Sequence, residues 1–126
     1  MTGWLLRTNG NVEKADENLH KQGGRLPLAA LYQAIGCSIV ERVTAPWGQF
    51  WVDEEGRLKG HSELNELATQ IYWETFPHVK GQPLVGDIYL RVKASGKTAK
   101  RLVEALEIRA ANGALNNGRP GGRGYV

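Results

Sequence analysis

The residues that could do chemistry fall into four groups. Ser95-Gly96-Lys97-Thr98 has the ending of a phosphate-binding loop, set between a strand pattern and a helix pattern. The full motif needs a second glycine five residues before Gly96, so that backbone N–H groups wrap the phosphates, and that position is Arg91. A turn with Thr98 capping the next helix explains the segment better, leaving only the general attraction of a helix start for anions. Asp53, Glu54 and Glu55 form an acidic cluster, and Asp87 adds a carboxylate from another segment. Paired carboxylates serve acid–base chemistry or bind divalent cations, but an Asp-Glu-Glu-Gly run between strands also reads as a solvated turn. Asp87 after Gly86 equally suits a backbone hydrogen bond at a bulge. His20, His61 and His78, with the single Cys37, lack the tight spacing of a zinc site, so no metal is expected. No base–nucleophile pair can be named, no residue is assigned a catalytic role, and no cofactor is implied.

Two further groups point to binding. Trp47, Phe50 and Trp51 lie on one hairpin, and Tyr72, Trp73 and Phe76 at the end of one helix. Together they could form an aromatic face of the kind that dominates interfaces, or the core of a small domain short of Phe. Trp47, at a loop tip, and Trp73 are the two expected to be partly exposed. Trp47, Phe50, Trp51 and Trp73 are the candidate aromatic surface. Lys97, Lys100, Arg101 and Arg109 on the last helix, with Arg119 and Arg123 beyond it, form the candidate site for an anion or a nucleic acid. Their plain alternative is a solvated helix with Lys100–Glu104 pairing followed by a loose terminus.

The elements that must position these groups follow from periodicity. Trp4-Leu5-Leu6-Arg7-Thr8 and Asn11-Val12-Glu13-Lys14-Ala15 flank Asn9-Gly10, the signature of a two-residue type I′ hairpin, and the polar second strand should be an edge. Leu28, Leu31, Tyr32 and Ile35 share one stripe, with Pro27 at the first helical position and Gly36 ending the helix. A second hairpin, Ser38–Val43 against Gln49–Val52, is expected to have a longer loop around Ala45-Pro46-Trp47-Gly48. Ser62 is the expected cap of a helix carrying Leu64, Leu67, Ala68 and Ile71, closed by Pro77. Ile88–Val92 reads as a central strand, and 99–111 as an amphipathic helix with Leu102, Val103, Leu106 and Ala110 inward. The order predicts an α+β fold: a mostly antiparallel sheet from two hairpins plus a later central strand, packed by two or three helices. At 126 residues, one domain over 1–111 with a Gly/Arg-rich C-terminal tail over 112–126 is expected.

The charge is uneven. Residues 91–126 hold eight cations against Glu104 and Glu107, whereas residues 1–90 carry a surplus of three acids, and the whole is +3. Such asymmetry points to an acidic partner. The hydrophobic share of 41% excludes global disorder, and no apolar run approaches the roughly 20 residues of a membrane span. The N-terminus lacks the pattern of a signal peptide, and one cysteine fits a reducing compartment.

Gly3-Trp4-Leu5-Leu6-Arg7-Thr8-Asn9-Gly10 with Val12-Glu13 resembles the opening of a small uncharacterised domain family of bacteriophages, mobile elements and their bacterial hosts. Leu28 through Gly36, Ile39-Val40-Glu41, Val52-Asp53-Glu54-Glu55-Gly56-Arg57-Leu58-Lys59-Gly60, Asn65 with Leu67-Ala68-Thr69, and Leu84-Val85-Gly86-Asp87 are similar in spacing. The resemblance covers about residues 3–91 and carries no assigned activity. It implies an accessory protein in the cytoplasm of a bacterial host. The expected function is therefore non-catalytic interaction, with a host protein or by self-association, for instance as a homodimer. The alternatives are nucleic-acid binding through the basic helix and tail, and capture of a small phosphorylated ligand. No membrane partner is expected.

Overall fold

The computed structural model describes residues 2–15, 28–36, 40–53 and 63–116, excluding the side chains of 28–31 and 113–116. The fold is α+β. Five strands, β1 (Thr2–Leu6), β2 (Val12–Lys14), β3 (Val40–Ala45), β4 (Gly48–Asp53) and β5 (Ile88–Val92), form one antiparallel sheet in the order β2-β1-β5-β4-β3. As the sequence indicates, β5 is central and the polar β2 is an edge.

Side-chain alternation gives the sheet two buried faces. Trp4, Leu6, Phe50, Val52, Ile88, Leu90 and Val92 face one side, where they pack with Ala68 and Ile71 of α2 (Glu66–Thr75) and Ala99 and Leu106 of α3 (Lys97–Asn116). Leu5 and Tyr89 face the other, against Ile35 of α1 (Leu28–Ile35), with Trp51 packed alongside. Three layers result: two helices, the sheet, and one short helix. No helix among the described residues is long and apolar enough to cross a membrane.

Local chemistry shifts several expected boundaries. The first hairpin does not use a type I′ turn. Gly10 N–H donates to Arg7 O at 3.0 Å and Gly10 takes φ 91°, while no non-glycine residue has positive φ. Thr8-Asn9 are thus the central pair, Gly10 takes the left-handed position after them, and Asn9 Oδ1 accepts from Asn11 N at 2.9 Å. The second hairpin is tighter than expected: Ala45 pairs with Gly48, so only Pro46-Trp47 form the loop.

Helix α2 starts later than expected, at Glu66. Its cap is Asn65, whose Oδ1 accepts from Ala68 N at 3.1 Å, while Nδ2 donates to Leu6 O at 2.8 Å and Gly86 O at 2.9 Å. One buried amide therefore caps the helix and fixes it to β1 and the approach to β5. Ser62 lies outside the described residues. Gly36 ends α1 with φ 69°, as its type predicts. Helix α3 starts two residues before the expected span, directly after Gly96 (φ 103°), so Thr98 lies inside the helix rather than capping it. It also runs to Asn116, into the segment expected to be a tail.

Candidate functional site

The expected aromatic surface is largely core. Trp47 is only 4% exposed and Phe50 is fully buried. Trp47 packs edge-on against Phe50 with centroids 4.9 Å apart, and the edge-to-face series continues through Tyr72 to Phe76. The two-residue loop causes the burial. Lys93 N donates to Trp47 O at 2.8 Å, tying the hairpin tip to the end of β5, and Trp47 Nε1 donates to Thr75 Oγ1 at 3.0 Å. Trp51, the next residue after Phe50, points to the opposite sheet face, half-buried with the Arg42 guanidinium 5.9 Å from its ring. Trp73 is half-buried as expected, its Nε1 donating to Gln82 O at 2.9 Å. The four candidates therefore do not share a surface.

The carboxylate candidates also separate. Asp87 Oδ1 accepts from Thr8 N and Oδ2 from Arg7 Nη1, each at 3.0 Å, which is the backbone-fixing role that its position after Gly86 suggests. Arg7 also donates to Ala34 O at 2.7 Å and forks onto Glu13 at 2.9 and 3.2 Å. One guanidinium thereby joins β1, β2, the start of β5 and the end of α1. The Glu13 hydrogen bond, then Asp87, raises the Arg7 pKa above its ordinary value despite partial burial, so the charge is permanent. Asp53 ends β4; Glu54 and Glu55 lie outside the described residues. So do His20, His61 and Cys37, while His78 is exposed. Among the described residues no group of three His, Cys, Asp or Glu could hold a metal ion.

Of the basic candidates, Lys97, Lys100 and Arg101 are exposed and Arg109 is half-buried. Arg119 and Arg123 lie outside the described residues. Arg101 and Arg109 differ from the two lysines in position: they line a cleft of about 620 Å³ between α2 and α3. The α3 wall is the stripe Thr98, Arg101, Leu102, Ala105, Leu106 and Arg109; the α2 wall is Leu67, Gln70, Ile71, Glu74 and Thr75. Both stripes follow the three-and-four spacing of a helix face. Trp47 and Pro46 close one end. At the other, a depression of about 420 Å³ shares Leu67, Gln70 and Arg109 and continues to Leu64, Glu66 and the Arg7–Gly10 turn.

Neither Arg101 nor Arg109 makes an ion pair or hydrogen bond among the described residues. The cleft thus combines an apolar floor with donors that no described residue engages. The sequence carried a signal for it. The last helix places Arg101 and Arg109 beside Leu102, Ala105 and Leu106, a stripe that neither a wholly buried nor a wholly solvated face would have. What α2 sets opposite them depends on tertiary placement. No protein-family model, curated protein or solved structure matches this chain.

Proposed function

We propose that this chain is a non-catalytic interaction protein that holds a segment of a partner protein in the cleft between α2 and α3. It would act as the phage or mobile-element accessory protein that the sequence resemblance implies, on a component of a bacterial host. The observation that carries this reading is an apolar-floored cleft of about 620 Å³ whose two arginines have no ion-pair or hydrogen-bond partner among the described residues. Recognition sites combine such apolar area with a few polar groups that fix orientation. The Asp87 carboxylate, a candidate for chemistry, is instead committed to Arg7 and Thr8.

A photo-crosslinking residue at Ala105, which is exposed within the cleft, tests the reading in bacterial cells. One discrete protein adduct is expected, absent when the residue is placed at Lys93. Adducts to DNA or RNA would instead favour the basic helix as a nucleic-acid surface. Absence of any adduct would contradict occupancy of the cleft.

A further inference from the structure

The two walls of the cleft are oppositely charged. Arg101 and Arg109 stand on α3, while Glu74 lies on the α2 wall and Glu66 lines the adjoining depression with Arg109. The helices run in opposite senses along the cleft, so Glu74 shares the hairpin end with Thr98 and Glu66 shares the turn end with Arg109. Among the described residues, none of these four side chains makes an ion pair. The charges face a common space without closing it.

An occupant of a single sign would be attracted by one wall and repelled by the other. Nucleic-acid phosphates would meet Glu66 and Glu74 as well as the arginines. The eight-residue step from Arg101 to Arg109 is a rise of about 12 Å, a little over two helical turns. Acidic residues seven or eight apart on a partner helix match that spacing. A groove between two helices, with Leu67, Ile71, Leu102 and Leu106 in its floor, takes the apolar stripe of a third helix.

We infer that the segment held by the cleft is an amphipathic helix of about three turns, with carboxylates flanking its apolar stripe on the α3 side and cations on the α2 side. The inference rests on the cleft being the binding site, and the experiment separates the two.

The probes are fluorescein-labelled helical peptides with the same apolar stripe but different edges: one edge Glu and one Lys, both Gln, or both Lys. The mixed-charge peptide is expected to bind the full chain about tenfold more tightly than the Gln peptide, corresponding to about 1.4 kcal/mol over the flanking pairs. Arg101→Glu with Arg109→Glu should erase that advantage and make the all-Lys peptide the preferred one. Ala105→Trp, which fills the cleft from an exposed position, should abolish binding of all three. Thermal melts check that these surface variants remain folded. If the Gln peptide binds within threefold of the mixed one while Ala105→Trp still abolishes binding, the charge inference falls and the cleft stands. If Ala105→Trp changes nothing, or no peptide binds the unaltered protein, both fall.

Discussion

At the scale of single residues, the interior polar groups act as fasteners. Arg7 joins three strands and the end of α1 through contacts to Glu13, Asp87 and Ala34 O. Arg7→Ala should lower stability by about 2 kcal/mol in urea denaturation, since Ala34 O and one Asp87 oxygen lose their donor. Arg7→Lys should recover less than half, because an ammonium lacks the fork that reaches Glu13 with two parallel bonds. Equal stability of Arg7→Ala and the unaltered chain would show that the junction is held by packing alone. Tyr89 supplies a pH dependence. Burial raises its hydroxyl from the ordinary 10 to about 12, opposed weakly by Arg91. The unfolded chain releases this proton near pH 10 and the folded chain only near 12. The stabilisation is therefore intact below pH 10 and is lost as pH rises towards 12. Stability measured from pH 9 to 12 should fall more steeply for the unaltered protein than for Tyr89→Phe; parallel curves would contradict the assignment. Little of this was legible in residue types. Ser62 and Asn65 are equally good caps by type, and the choice is made by Leu6 O and Gly86 O, which are distant in sequence.

At the scale of elements, period and turn chemistry indicated the central β5, the edge β2, both hairpins and all three helices. What escaped was how tightly the connections close. Asn9-Gly10 carries the type I′ signature, yet only Gly10 takes positive φ, because Gly10 N closes the turn onto Arg7 O one residue earlier in the chain. Residue types alone put Trp47 at an open loop tip, but Ala45 pairs with Gly48 and closes the loop around it. The pairing requires a close approach at Gly48: with φ 154°, a Cβ there would meet the Arg91 carbonyl oxygen. Gly48→Ala should therefore cost on the order of 3 kcal/mol and loosen Trp47 together with the hairpin. Thermal melts followed by Trp fluorescence would show both effects, and an unchanged melting temperature would mean that β4 and β5 can separate freely at this point.

At the scale of the whole molecule, the uneven charge noted in the sequence takes a defined form. The basic C-terminal part contributes α3, and α3 supplies one wall of a cleft whose other wall belongs to the acidic first part of the chain. The sequence showed the cations of the last helix but not that Arg101 and Arg109 would separate from Lys97 and Lys100 to face α2. Nor did it show that the aromatics meant for a surface would close the core beneath one end of that cleft. The most direct test of the central claim, that α2 and α3 form the binding site, is amide chemical-shift mapping as the mixed-charge helical peptide is added. Shifts should concentrate in Leu67–Thr75, in Thr98–Arg109 and at the Trp47 indole N–H. Shifts centred on Arg42 and Trp51 across the sheet, or none at saturating peptide, would contradict it.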